Sequence, residues 1–138
     1  MTSIKKIKNN LKGLNNYEVV IFGSLINRKY TKRSDIDSAV ITRIKNREKN
    51  KEIWFNLLNK VTSGYDLKVF ELLPLPMQIS IADGHIVIFG DSLEISEYFY
   101  HFRKLWKDVE KRYKENQFAS IKEKKEALQR IKYLGIEE

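Results

Sequence analysis

The sequence predicts one α+β domain, made of four short strands and several helices and continued by a helical tail. Four apolar runs bounded by turn residues have the length and the β-branched content of strands. Segments with apolar residues at three- and four-residue steps lie between and after these runs, which is typical of amphipathic helices. The chain has 138 residues, of which 42% are hydrophobic, so it is large enough to bury one core.

The first half of the chain is predicted to alternate helix and strand. Ile4, Ile7 and Leu11 have helical spacing, and Gly13 can end that helix. The predicted order is a helix over residues 3–13, a strand over 17–22, one or two helical turns over 25–30, a strand over 35–42, a loop over the charged tract 43–51, and a helix carrying Ile53, Trp54, Leu57, Leu58 and Val61.

The second half is predicted to contain two strands and then only helices. The order is a strand over 66–72, a turn at Pro74 and Pro76, a short helix over 77–82, and a strand over 85–89 between Asp83-Gly84 and Gly90-Asp91. From Ser92 the pattern is helical, and Ser120 with Glu123 forms a capping box that predicts a separate last helix carrying Ile121, Leu128, Ile131 and Leu134. We therefore expect a domain over residues 1–115, with its core at about 15–92, and a helical extension over 116–138.

The most informative motif is a Gly-Ser turn followed by two aspartates. Gly23-Ser24 leaves the first predicted strand and can present backbone N–H groups to a phosphate. After ten residues, Asp35 and Asp37 occupy alternate positions of the next strand, so both point to one side of it. Carboxylate oxygens are the ligands that hard divalent cations prefer, so this pattern indicates a place where a polyphosphate meets metal ions.

A third carboxylate is needed to complete such a site. Asp66 opens the third predicted strand and is the best candidate. Glu71 is the alternative, although it lies an odd number of residues away and should face the opposite side of that strand. The alternative is that these are ordinary acids at strand ends, because aspartate is common in turns. The combination with Gly23-Ser24 at a fixed distance favours a metal site, in which two ions can stabilise the attacking and the leaving oxygen.

These residues carry a resemblance to a known family. Gly23-Ser24, the ten-residue interval and Ser34-Asp35-Ile36-Asp37 resemble the signature of the DNA polymerase β-type nucleotidyltransferase superfamily. The strand with Asp66 and the later segment 83–91 resemble its minimal nucleotidyltransferase (MNT) branch, and the similarity covers roughly residues 15–115. The resemblance implies the polymerase β palm-like fold, a short mixed sheet flanked by helices.

The resemblance also implies roles for the motif residues. Gly23 and Ser24 would bind the triphosphate of ATP or another NTP. Asp35 and Asp37 would bind two Mg²⁺ ions, and Asp66 would complete the metal site and help to activate the attacking hydroxyl. Members of this branch often act as antitoxins of a HEPT-family toxin, which implies transfer of AMP to a tyrosine of that partner, or sequestration of the toxin without catalysis.

The chain departs from the family pattern at two places. Many members continue Gly-Ser with an Arg-Ala-Arg-Gly-like run, whereas here Leu25 follows and Arg28, Lys32 and Arg33 are the available cations. Ser38 replaces the apolar residue that commonly follows the second aspartate, and it should face away from the metals.

The remaining composition bounds the location and the partners. The chain lacks cysteine, which excludes disulfides and cysteine-bound zinc, and it lacks a membrane-length apolar run, so we expect a soluble cytoplasmic protein. The net charge of +8 favours encounters with nucleotides, nucleic acid or acidic proteins, although most charge runs mark solvated faces. Nucleic-acid binding through the basic termini is the weakest alternative. Aromatic residues of segment 98–113 exceed one helical stripe, which suggests a surface for a partner protein or a second copy of the chain.

Overall fold

The computed structural model describes residues 3–26 and 35–133 of the chain. The elements are α1 (Ile4–Asn10), β1 (Glu18–Phe22), β2 (Ile36–Ile41), α2 (Arg47–Leu58), β3 (Tyr65–Val69), α3 (Leu75–Asp83), β4 (Ile86–Phe89) and α4 (Ser92–Tyr133). Short 3₁₀ turns lie at Lys12–Leu14, Gly23–Leu25 and Phe70–Leu72. By its internal contacts the chain divides into two compact units, Met1–Arg103 and Lys104–Glu138. The predicted division at residue 115 remains a prediction.

The four strands form one mixed sheet in the order β3-β2-β1-β4. β1 pairs in antiparallel fashion with β2 and with β4, whereas β2 and β3 are parallel. Strand β1 therefore ends at the sheet edge where β2 and β3 begin. The α+β class and the short mixed sheet are confirmed.

Alternating strand residues build two apolar clusters, one on each face of the sheet. The first cluster joins Val19, Ile21, Val40 and Leu67 of the strands to side chains such as Ile7 of α1 and Leu57 of α2. The second cluster joins strand and turn residues to α3 and the start of α4, and contains Val20, Phe22, Ala39, Ile41, Phe70, Ile81, Ala82, Ile95 and Phe99. Within unit Met1–Arg103 the sheet is thus covered by helices on both faces.

Three predicted boundaries were wrong because local backbone features override the apolar pattern. Helix α2 begins at Arg47, inside the tract predicted as a loop up to residue 51, because the Asn46 side chain caps it by accepting from the Lys49 backbone N–H. Strand β3 ends at Val69, before the predicted residue 72, where the chain turns into the 3₁₀ segment. Helix α3 begins at Leu75, before the predicted residue 77. A proline is tolerated in the first helical turn, because the backbone N–H that it lacks would have no partner within the helix.

The predicted separate helix at Ser120 was also wrong. Helix α4 runs without a break from Ser92 to Tyr133, so Ser120 is an interior helical residue rather than a cap. The capping-box pattern is short, and good helix formers on both sides of Ser120 keep the backbone helical. No helix in the described ranges has a stretch apolar enough over sufficient length to cross a membrane.

Candidate active site

The Gly-Ser turn and Asp37 meet where β1 ends and β2 begins. Phe22 of β1 is the register partner of Asp37, so Gly23 lies directly against the aspartate. Gly23 has φ +79°, a left-handed conformation that favours glycine, and a Cβ at this position would overlap the Asp37 carboxylate. Glycine thus provides both the turn and the room for the carboxylate.

Asp66 lies beside Asp37 on the neighbouring strand. The two aspartates are register partners in the parallel pair β2–β3, so their side chains leave the same face of the sheet. Adjacent strands are about 4.8 Å apart, which brings the two carboxylates within mutual electrostatic reach. The Asp66 side chain is 44% exposed and forms an ion pair of 3.6 Å between its Oδ1 atom and Lys68 Nζ.

The pKa of Asp37 depends on these neighbouring groups. Partial burial raises the pKa of Asp37 above its ordinary value of 3.8, and repulsion by Asp66 raises it further. A hydrogen bond from the Ser24 backbone and the positive charge of Lys68 lower the pKa, whereas Asp35 raises it by the smallest contribution. A cation between the two aspartates would relieve this repulsion.

Asp35 is less closely placed than the other two acids. It lies one residue before β2 and is exposed. Among the residues that the structure describes, no three acidic, histidine or cysteine side chains converge as a ready-made metal cluster. The structure therefore brings together Asp37, Asp66, Gly23 and Ser24, with Asp35 at the margin.

The donor set fits a hard divalent cation. The two adjacent carboxylates offer oxygen ligands, and the Gly23 backbone leaves open the space that any larger side chain would fill. Ser38 leaves the opposite face and donates from Oγ to the Asp66 backbone carbonyl at 3.3 Å, so it supports β3 from behind. Arg28, Lys32 and Arg33, the predicted loop cations, lie outside the described residues.

Glu71, the alternative third acid, has a different role. Its carboxylate accepts hydrogen bonds from the backbone N–H groups of Thr42 and Arg43 at 3.1 and 2.9 Å and from the Tyr98 hydroxyl at 2.6 Å. These donors lie at the carboxyl end of β2 and on α4, at the sheet edge remote from Asp37. Glu71 therefore ties α4 to the sheet.

This remote edge also contains a cavity of about 570 Å³, which does not include the aspartates. Its walls are formed by Arg43, Ile44, Lys45, Glu71, Gln78, Tyr98, His101 and Phe102. Arg43 has φ +60°, pairs with Glu18 at 2.6 Å and lies over the Tyr98 ring at 4.6 Å. The ionised groups in this region largely neutralise one another, which indicates a structural network rather than a reaction site.

Sequence reasoning missed the Arg43 network and Lys68. The Arg43 network depends on contacts between residues more than 20 positions apart, which no local pattern predicts. Lys68 gave a usable signal, because residues two apart on a strand share a face and Asp66 was already identified. His85 packs within the fold: its Nδ1 atom lies 2.8 Å from the Ile81 carbonyl oxygen, and its ring is perpendicular to that of Phe99.

The chain matches a known family and a curated relative. Residues 5–94 match the family described as "Polymerase beta, Nucleotidyltransferase". Over 108 residues the chain is 45% identical to "Putative protein adenylyltransferase MJ1547" of Methanocaldococcus jannaschii, an alignment that covers 78% of this chain and 84% of the relative.

Solved structures show the same fold at low sequence identity. A chain from the complex of tri-AMPylated Shewanella oneidensis HEPN toxin with MNT antitoxin superposes with a TM-score of 0.61 at 13% identity, covering 86% of this chain and 99% of that chain. A chain from the crystal structure of a toxin–antitoxin with AMP-PNP gives a TM-score of 0.55 at 16% identity, covering 80% of this chain and 98% of that chain. The extent of the family match and the identity to MJ1547 establish that the chain belongs to the polymerase β nucleotidyltransferase family.

Proposed function

We propose that the protein is a Mg²⁺-dependent adenylyltransferase that moves AMP from ATP to a hydroxyl of a partner protein. The observation that carries the proposal is the pair Asp37–Asp66, held in register against the Gly23-Ser24 turn. Adjacent carboxylates beside an open backbone turn are what a metal–triphosphate complex requires. The partner we propose is a HEPT-family toxin, for which the protein would be the antitoxin.

Each residue of the site has a role in this reaction. The turn at Gly23 and Ser24 would bind triphosphate oxygens through backbone N–H groups, and Asp35, Asp37 and Asp66 would hold two Mg²⁺ ions. The ions would supply charge stabilisation for the attacking and the leaving oxygen. Asp66 would also accept the proton of the acceptor hydroxyl, whose oxygen forms a bond to the α-phosphorus while the bond to the departing pyrophosphate breaks.

The choice of AMP and of a protein acceptor is supported by relatives. The name of MJ1547 describes a protein adenylyltransferase, and two proteins of the same fold come from toxin–antitoxin complexes, one with AMP-PNP and one with an AMPylated toxin. The likeness to the solved structures rests on the fold alone, so substrate and partner are proposals for this chain.

Sequestration of the partner without catalysis is the second candidate. It is favoured by large apolar side chains that remain exposed on unit Lys104–Glu138, among them Phe118 at 70% and Leu128 at 66%. Apolar side chains on a solvated helix provide a contact surface for another protein.

The test is co-expression of the chain with the HEPT-family toxin proposed as its partner, followed by intact-mass measurement of the toxin. We expect the toxin to gain AMP with the parent chain and to gain none with the double variant Asp35→Asn, Asp37→Asn. Asp108→Asn is the matched control, because Asp108 is an exposed aspartate on α4 and its loss should leave transfer unchanged.

Two outcomes would contradict the proposal in different ways. Transfer by the double variant at the parental rate would show that the aspartates are not the metal site. Inhibition of the toxin that persists without ATP and Mg²⁺, with no mass gain, would establish sequestration instead.

A further inference from the structure

Lys68 stands on the same face of the sheet as the two central aspartates. It follows Asp66 by two residues on β3, and its register partner Ala39 follows Asp37 by two residues on β2. Side chains two apart on a strand share a face, so the Lys68 side chain flanks both carboxylates. This position makes Lys68 a neighbour of anything bound between them.

The contact that Lys68 makes is weak enough to be exchanged. Its Nζ atom lies 3.6 Å from Asp66 Oδ1, and the two side chains are 42% and 44% exposed. An ion pair with this exposure is weak, because solvent screens both charges. Among the described residues, the Lys68–Asp66 pair is the only ion pair that any of the three aspartates of the proposed site forms.

A divalent cation and the Lys68 ammonium compete for the same carboxylate. A metal ion bound to Asp66 would repel the ammonium, which is carried on a flexible four-carbon stem and can move several ångströms. The nearest anion would then be the triphosphate held at the Gly23-Ser24 turn. Three aspartates and two Mg²⁺ ions together carry a charge of about +1 against about −4 on ATP, so a further cation is favourable there.

We propose that Lys68 is a phosphate-binding residue that pairs with Asp66 in the free protein and transfers to a phosphate oxygen of the nucleotide when metal ions bind. The inference rests on the proposed function, since it needs the nucleotide at this site. It adds a nucleotide-binding cation on β3 to Arg28, Lys32 and Arg33, the cations available in the sequence after Ser24.

The test measures metal and nucleotide binding separately, with no catalytic readout. Mn²⁺ is the metal probe, followed by electron paramagnetic resonance, and AMP-PNP with Mn²⁺ is the nucleotide probe. In Lys68→Met we expect Mn²⁺ alone to bind about threefold to fivefold more tightly, because its competitor is gone. We expect AMP-PNP to bind about tenfold more weakly, because a charge-assisted phosphate contact is lost.

Two further variants sharpen the test. Lys68→Arg keeps the charge and should restore most of the AMP-PNP affinity. Lys51→Met is the matched control, because Lys51 is 53% exposed and pairs with Glu48 at 3.5 Å, much as Lys68 pairs with Asp66. Lys51 lies on α2, which packs on the face of the sheet opposite to the aspartates. It should change neither affinity.

The Mn²⁺ affinity and the AMP-PNP affinity are expected to change in opposite directions, which distinguishes the proposal from structural damage. Loss of both affinities in Lys68→Met, or no change in AMP-PNP binding, would overturn the role of Lys68 and leave the adenylyltransferase proposal standing. Failure of the parent chain to bind either probe would overturn both.

Discussion

At the scale of single residues, Tyr98 shows how a side chain outside the candidate site links α4 to the sheet. Its hydroxyl donates to Glu71, and the Arg43 guanidinium lies over its ring. Burial raises the pKa of Tyr98 above its ordinary value of 10.0, and the hydrogen bond to Glu71 raises it further. The folded state therefore favours the protonated phenol.

This preference predicts a pH-dependent effect of Tyr98→Phe. A raised pKa in the folded state adds stability that is complete below the unfolded pKa of about 10 and is lost as the pH rises through the folded value. We expect the free energy of unfolding to fall by about 1 kcal/mol in Tyr98→Phe at about pH 8, and the difference from the parent to shrink by about pH 11. Urea unfolding at the two pH values measures it.

A tyrosine with a more exposed hydrogen bond provides the control. The Tyr113 hydroxyl accepts from Gln117 at 3.0 Å on an exposed part of α4, so Tyr113→Phe should change stability by only a few tenths of a kcal/mol at either pH. A difference between Tyr98→Phe and the parent that stays constant with pH would contradict the assigned cause.

At the scale of elements, two serines have roles opposite to those that the capping-box pattern predicts. The Ser3 side chain caps α1 by accepting from the Lys6 backbone N–H at 3.2 Å. Ser120 precedes Glu123 by three residues, a capping-box pattern that Ser3 lacks because Lys6 stands at its third following position, yet Ser120 lies inside α4. Alanine is favoured inside a helix and disfavoured at an N-cap, so substitution by alanine should change helix stability in opposite directions at Ser120 and Ser3.

We predict that Ser120→Ala raises local stability by about 0.5 kcal/mol and that Ser3→Ala lowers it by about 1 kcal/mol. Amide hydrogen exchange measures both effects, at residues 121–124 for Ser120→Ala and at residues 5–7 for Ser3→Ala. Reduced protection after Ser120→Ala would show that a separate helix begins there.

At the scale of the whole molecule, the buried apolar core belongs to one unit. The described residues in its two clusters lie between Ile7 and Phe99, inside Met1–Arg103. Burial of apolar surface is the main source of folding free energy, so this unit has what it needs to fold alone.

We predict that a chain of residues 1–103 unfolds in one cooperative transition and binds Mn²⁺–AMP-PNP within about twofold of the full chain. A chain of residues 1–91 is the matched comparison, because it lacks Ile95 and Phe99, which are fully or almost fully buried. It should fail to fold cooperatively. Thermal unfolding by circular dichroism and nucleotide titration measure both, and a non-cooperative 1–103 chain would place part of the core in unit Lys104–Glu138.

The sequence by itself determined the strands and the identity of the candidate acids. The apolar runs at Glu18–Phe22 and Ile86–Phe89 are short, rich in β-branched residues and bounded by turn signals, so local preference and tertiary structure agree there. The spacing of Gly23-Ser24 from Asp35 and Asp37 also indicated the chemistry, because the alternation of a strand constrains which side chains share a face.

Only the tertiary structure decided which of these residues meet. Parallel pairing of β2 with β3 places Asp66 beside Asp37 and places Lys68 on the same face. This pairing follows from the strand order rather than from any local pattern. The same holds for Glu71, which a network from β2 and α4 removes from the candidate site. Local spacing determines the direction in which side chains point along a strand. Contacts between distant segments depend on how the whole core packs, and that packing determines the partners of each acid.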